Sequence, residues 1–259
     1  MADEIDVLIP AIEKDLATLP LVIDAVRRYV KHPINKIYVV SPLSARIQKL
    51  CKLKNCTFVN EKKALPITKK NIHYSSSKWE RSGWLYQQLL KMNGDQICKK
   101  PNFLVIDADT VFIRPHTFIS KGKTIFYCRS WSQPEYYRTY KKLIGSKAPA
   151  PRSFVTHYML FNRNMLAELK QFIEKKHRKV WYQAVIDSID KTRSFGFSEY
   201  ETYANYLYTK DAKRTILYSA LNKSLKIKAS TLKSEQLEKY ALRYRSLSFH
   251  ERKAYSKAR

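Results

Sequence analysis

Three features of this sequence predict an α/β fold: strands and helices that alternate over the first half, an apolar run that closes in two carboxylates, and enough apolar residues for one full-sized core. The alternation argues for a nucleotide-binding-type sheet, mixed and mostly parallel, flanked by helices and joined by right-handed crossovers. The run is Phe103-Leu-Val-Ile-Asp-Ala-Asp-Thr-Val-Phe-Ile-Arg-Pro115, where a buried strand delivers Asp107 and Asp109 to the rim at which α/β sheets bind ligands. With 259 residues and 44% hydrophobic content, one domain over residues 1–208 with a C-terminal extension over 209–259 is the simplest expectation.

In chain order, Asp6 to Pro10 reads as a short apolar strand, and Leu16 to Tyr29 repeats apolar residues at helical spacing until His32-Pro33. A strand at Lys36 to Ser41, a helix opened by Pro42 and ending near Leu53, and a strand at Cys56 to Asn60 complete a βαβαβ pattern. Residues 61–77, rich in lysine and serine, read as a loop, and Trp79 to Met92 as a helix that feeds the carboxylate strand. Thr124 to Cys128 then reads as a strand, Trp131 to Tyr140 as a helix, and Ser146 to Arg152, with two prolines, as a loop. Phe154 to Phe161 reads as a strand with His157 inside it, followed by helices at about Asn164 to His177 and Val180 to Asp190. Gly196 turns the chain and Ser198 caps the next helix, whose first turn holds Glu199 and Glu201, where acids complement the helix dipole. The last fifty residues hold fourteen Lys/Arg against four acids and predict a basic helical extension packed on or near the core.

Composition excludes some chemistries and invites others. Five glycines leave no G-x-G-x-x-G and no Walker loop, so any phosphate must be held by a metal and by basic side chains. The 49 Lys+Arg against 22 Asp+Glu give +27, which favours anionic partners such as nucleotides, nucleic acid or an acidic membrane, or equally a solvated basic surface. The acidic start Met1-Ala-Asp-Glu-Ile-Asp leads straight into a strand and no apolar run approaches the roughly 20 residues that span a bilayer, so a cytoplasmic protein is expected. Cys51, Cys56, Cys98 and Cys128 lack C-x-x-C spacing and sit in or beside apolar segments, which predicts reduced, mostly buried thiols.

Carboxylates two apart can both be aimed at one cation where a strand turns at its end, and hard oxygen ligands suit Mg²⁺ or Mn²⁺. A bare D-x-D arises by chance in roughly one chain in three, so its place at a strand end, rather than its spacing, carries the weight. The same residues also fit a strand-to-loop turn in which aspartate merely caps.

Taken together, several segments resemble the glycosyltransferases of the GT-A fold, and within them a set of bacterial and viral enzymes with this layout. The matching pieces are Asp6 to Pro10, Arg81-Ser-Gly-Trp-Leu-Tyr-Gln-Gln-Leu-Leu-Lys91, the Asp107-Ala-Asp109 strand with Phe112-Ile-Arg-Pro115, His157-Tyr-Met-Leu-Phe-Asn-Arg163, and Gly196-Phe-Ser-Glu-Tyr-Glu-Thr-Tyr203. The resemblance covers residues 5 to about 208 and implies a GT-A-like catalytic domain that moves a sugar from a nucleotide-diphosphate donor to a glycan or glycolipid acceptor. It implies Asp109 as a direct ligand of Mn²⁺ or Mg²⁺, Asp107 on the ribose or the metal, and His250 as the one late histidine that could join the metal. It also implies an acceptor-side role for Glu199 or Glu201. Here the acidic motif is Ser198-Glu-Tyr-Glu201 rather than the usual Glu-Asp pair, and nothing after residue 208 matches the family's pattern.

Such a transfer places negative charge on the leaving phosphate and requires a base for the acceptor hydroxyl if configuration inverts. Glu199, Glu201 or His157 could be that base; His157, among apolar neighbours, fits a core histidine equally well. Arg81 and Lys78, at the start of the helix before the carboxylate strand, could pair with phosphate or simply be solvated. Lys223, Lys226, Lys228, Lys233, Lys239, Arg243 and Arg245, interleaved with leucines, suit peripheral contact with an anionic membrane, and equally binding of the donor diphosphate or an acidic glycan, or a solvated helix. Two other classes remain. Asp107-Ala-Asp-Thr-Val111 fits the nucleophile loop of haloacid-dehalogenase-like phosphatases, although three strands precede it and no later metal-binding Asp pair follows. A basic nucleic-acid-binding protein fits the charge, but paired carboxylates at a strand end would repel phosphate without a metal, so no nucleic-acid partner is expected.

Overall fold

A six-residue apolar strand, β1 (Ile5–Pro10), buried along its whole length, forms the middle of the protein. In the computed structural model, which describes residues 3–249, it is followed by α1 (Leu19–Tyr29), β2 (Ile34–Ser41), α2 (Ala45–Leu53) and β3 (Thr57–Asn60), the alternation expected. Next come the short α3 (Glu61–Ala64), α4 (Ser82–Met92), the single-turn α5 (Gly94–Ile97) and β4 (Asn102–Ile106). The second half runs β5 (Thr110–Phe112), β6 (Ile119–Ser120), β7 (Lys123–Cys128), α6 (Pro134–Ile144), β8 (Tyr158–Asn162), α7 (Arg163–His177), α8 (Trp181–Ser188) and α9 (Glu199–Asp211). It closes with β9 (Thr215–Ser219), β10 (Asn222–Ser224), α10 (Ser234–Ala241) and β11 (Ser246–Ser248).

The main sheet has the order β3-β2-β1-β4-β8; the first four strands are parallel, and β8 is antiparallel to β4. This is the mixed, mostly parallel sheet that the sequence predicts. Strand alternation sends Leu8, Phe103 and Val105 to one face, under α4, α7, α8 and α9, and Val7, Ile9, Leu104 and Ile106 to the other, under α1 and α2. The Cys51, Cys98 and Cys128 thiols are buried as expected, with burial pushing Cys51 up to about 11 and Cys128 up to about 12.

Four expectations need correction. The helix before β4 starts at Ser82, because Ser75 to Glu80 form a small bridged turn; Lys78 therefore lies exposed in that turn and Arg81 occupies the cap position. The strand predicted at Phe154 starts only at Tyr158, since His157 takes a left-handed backbone (φ +70°) that ends the ladder. Gly196 is required for space rather than for turning: a Cβ there would come within 2.1 Å of Ile189. The C-terminal segment is not mainly helical. β9 adds parallel to β7, while β11 pairs with β5 and β10, and α10 is its one α-helix among the described residues. These strands are only three to five residues long and lie among basic residues, too short for a clear alternation to show.

One buried ion pair ties the helices to each other. Lys170 of α7 reaches Asp95 of α5 at 2.6 Å and lies over the Trp181 ring of α8, with both charged side chains at least nine-tenths buried. Lys170→Met strands the Asp95 charge and is expected to lower stability by about 3–5 kcal/mol in urea denaturation, whereas adding Asp95→Leu recovers most of the loss. Equal stability of the single and double variants would contradict this.

Candidate active site

β4 ends at Ile106, and the next three residues turn: the Thr110 N–H donates to the Asp107 carbonyl at 3.1 Å. The Asp107 N–H donates to the His157 carbonyl at 2.9 Å, so the left-handed His157 grips Asp107 through its backbone. Its imidazole does so as well, with Nδ1 at 3.1 Å from Asp107 Oδ2. The other oxygen, Oδ1, accepts from Lys91 of α4 and from the Tyr200 hydroxyl at 3.3 Å.

Lys91 was not singled out from the sequence, yet it organises the site. Its ammonium also donates to Glu199 Oε1 at 2.8 Å and sits 4.7 Å from the Tyr200 ring centroid. One turn earlier on the same helix face, Gln88 Oε1 accepts the Glu199 N–H at 3.3 Å, so α4 holds the start of α9 at two points. Burial works against the Lys91 charge, but Asp107 and then Glu199 hold its pKa well above the ordinary lysine range. Burial likewise opposes the Asp107 charge, yet Lys91 and His157 hold its carboxyl below the usual carboxylate range. Glu199 has the smaller share of the lysine: burial, with the Asp107 charge adding, pushes its pKa up.

The two glutamates thus part company within one helical turn. Ser198 caps α9 as expected, its hydroxyl accepting the Glu201 N–H at 3.2 Å. Glu199 turns toward Asp107, whereas Glu201 is fully buried, accepting from Ser132 (2.8 Å) and Ser153 on Oε1 and from Asn205 (3.2 Å) on Oε2. Burial raises the Glu201 pKa too, with these hydroxyls offsetting part of the rise.

Asp109, half-buried, points its carbonyl at the Phe249 N–H (2.9 Å), while Thr110 Oγ1 lies 3.4 Å from its carboxylate. His250 lies outside the described residues. A second residue missed in the sequence, Asp15, follows the C-terminal end of β1, the strand next to β4; burial, and then the Asp109 and Asp107 charges, push its pKa up to about 6. Lys14 draws it the other way. Carboxylates from the ends of two neighbouring strands thus meet at this rim, and their hard oxygens fit a divalent cation. Among the described residues no three His, Cys, Asp or Glu side chains cluster as a complete ligand set. Arg81 is buried, its guanidinium 4.2 Å from the Phe195 ring centroid and 5.3 Å from that of Trp84. Trp84 is half-buried against Phe195 and Tyr74.

The fold and this rim define the class: the architecture is that of GT-A glycosyltransferases. The chain is similar to mouse xyloside xylosyltransferase 1 in its apo form, with 14% identity over 96% of this chain and 98% of that one (TM-score 0.51). It is also similar to galactosyltransferase LgtC in complex with donor and acceptor sugar analogs, with 13% identity over 96% of this chain and 88% of that one (TM-score 0.51). A third similar structure is the apo form of WbbM, a bifunctional glycosyltransferase, at 13% identity and TM-score 0.53; the match covers 96% of this chain but 46% of WbbM. No curated protein matches the chain. The chain belongs to the family of unknown function DUF6492, which matches residues 2–244. In this fold β4 is the fourth strand rather than the first, and both Asp107 oxygens are held by Lys91 and His157, so Asp107 does not fit the attacking carboxylate of a haloacid-dehalogenase-like phosphatase.

Removing Lys91 should expose its dual role. Lys91→Met leaves two buried carboxylates without their shared cation and is expected to cost about 3–5 kcal/mol of stability in urea denaturation. Adding Glu199→Gln to that variant is expected to recover part of the loss, because it removes one of the stranded charges; no recovery would show that Glu199 does not share the lysine.

Proposed function

We propose that the protein is a metal-dependent glycosyltransferase that moves a sugar from a nucleotide-diphosphate donor to a glycan or glycolipid acceptor. The observation that carries this reading is the linked set at the end of β4: Asp107 clamped by Lys91 and His157, Asp109 beside it, and Glu199 on the same lysine. Asp109, with Asp107, would hold Mn²⁺ or Mg²⁺, which when bound supplies Lewis acidity at the leaving diphosphate.

The remaining chemistry belongs to side chains. Lys91 keeps Asp107 ionised and fixed in direction, so its free-energy cost of orientation is met on folding rather than on binding. Glu199 is assigned as the base for the acceptor hydroxyl: burial raises its proton affinity, and it faces the D-x-D turn, whereas both oxygens of Glu201 are committed to serine and asparagine donors. His157 positions Asp107 and is assigned no proton. Arg81 and Lys78, from the cap and turn before α4, would pair with the donor phosphates. The exposed Lys226, Lys228, Lys239 and Arg243, with Leu221, Ile227 and Leu242 exposed among them, suit contact with an anionic membrane holding a glycolipid acceptor. Among the described residues no helix is long and apolar enough to cross a membrane.

Hydrolysis of a nucleotide-sugar panel with Mn²⁺ and with Mg²⁺ is the test. At least one donor is expected to be cleaved, and Asp109→Ala is expected to lose about 100-fold or more of that turnover, about 2.7 kcal/mol of barrier, with its urea midpoint unchanged. Wild-type turnover in the variant would refute the metal-site assignment. Once an acceptor is found, Glu199→Gln is expected to lower transfer with donor affinity unchanged, and equal activity of Glu199→Gln and Glu201→Gln would remove Glu199 as base. Co-sedimentation with anionic but not neutral vesicles, abolished by salt, is the outcome expected of the basic surface; no binding at low salt would dismiss membrane contact.

A further inference from the structure

Between α6 and the segment that follows it lies an open cleft of about 450 Å³ lined by Tyr137, Arg138, Lys141, Lys147, Ala148 and Ala150. Its shape follows from local sequence. On α6, Tyr136, Thr139, Tyr140 and Leu143 are buried, which leaves Tyr137, Arg138 and Lys141 along one outward face at i, i+1 and i+4. Gly145 ends α6 in the left-handed region (φ +96°) and turns the chain back. Pro149 and Pro151 then stiffen the returning segment around Ala150, and the two alanines leave the volume open.

Three lining groups are cations and none is an acid. Arg138 pairs with Glu135 at 3.2 Å on its own helix, while Lys141 and Lys147 make no ion pair among the described residues. The cleft is wired to the candidate site: the Ala150 N–H donates to Asn205 Oδ1 at 3.1 Å, and Asn205 Nδ2 donates to Glu201 Oε2 at 3.2 Å. Tyr137 lies near Glu201, and the neighbouring Trp131 leaves 58% of its surface exposed, a flat apolar group of the kind that sugar rings cover.

We infer that this cleft seats an anionic group, a carboxylate or a phosphate, carried by the acceptor glycan. The inference rests on the glycosyltransferase reading for the word acceptor, but not for the anion site itself. Glu199 and Glu201 share the first turn of α9, and Glu201 is linked through Asn205 to Ala150 of the cleft, so an acceptor that extends from Glu199 toward Trp131 runs to the cations of α6. The backbone of the wall is already shaped by α6 and the two prolines, so the ordering cost of binding falls on the two lysine side chains.

Binding of sugar probes by the full chain is the test: sialyllactose against lactose for a carboxylate, and glucose 6-phosphate against glucose for a phosphate. At least one anionic probe is expected to bind where its neutral counterpart does not, and Lys141→Ala/Lys147→Ala is expected to weaken it about fivefold or more. Because the whole chain is basic, the charge-matched control is Lys49→Ala/Lys52→Ala on α2, which packs by β3 at the opposite edge of the sheet from β8; it is expected to leave affinity unchanged. Equal weakening in both double variants, no weakening in the first, or equal binding of anionic and neutral probes would each overturn the proposal. Failure of nucleotide-sugar hydrolysis with these binding results intact would instead remove the glycosyltransferase reading and leave the anion site standing.

Discussion

One buried ammonium shared by two carboxylates sets the geometry of this protein's candidate site. Lys91 joins the end of β4, through Asp107, to the start of α9, through Glu199, and so locks the layer of helices onto the rim of the sheet. Such a cluster adds little to stability in comparison with an apolar replacement, because desolvation cancels much of the attraction. What it does enforce is direction. A carboxylate held by Lys91, His157 and Tyr200 has one orientation, so the adjoining Asp109 turn is presented in a single arrangement.

The charge balance explains how neighbouring acids take different roles. One lysine cannot neutralise Asp107 and Glu199 together, and the more strongly held Asp107 remains ionised while Glu199 gains proton affinity. Glu201, two residues on, is held by hydroxyls and an amide, with the Arg129 charge nearby, and so braces the loops at Ser132 and Ser153. The cation-lined cleft is linked to that brace through Asn205 and Ala150, while the carboxylates of Asp15, Asp107 and Asp109 gather at the strand ends. A substrate with separated neutral and anionic parts can use both.

The β1-to-β4 layout and the carboxylate strand were legible in the sequence because apolar runs with period two and capped amphipathic helices encode them locally. Ser198 and the Glu199 and Glu201 positions were legible for the same reason, since capping is a short-range signal. Lys91 was not: a lysine late in a helix normally reads as solvated, and its burial depends on two partners 16 and 108 residues away. The one available signal was its place three residues after Gln88, on a helix whose neighbouring positions are otherwise apolar. Asp15 could be tied to the rim only once β1 was known to lie beside β4. His157 was misplaced within a strand because apolar neighbours cannot report a left-handed backbone, and β9 and β11 were hidden because they are short and find their partners far off in the chain, in β7 and β5.

Electron paramagnetic resonance of free Mn²⁺, titrated with the full chain in the presence of nucleoside diphosphates, tests the central claim most directly, because it counts the metal at the D-x-D turn without requiring the acceptor. One Mn²⁺ per chain is expected to be taken up when the matching nucleoside diphosphate is present, and Asp109→Asn is expected to abolish that uptake. Equal uptake by the Asp109→Asn variant, or none by the unaltered chain with any nucleoside diphosphate, would contradict a metal-dependent glycosyltransferase site at the end of β4.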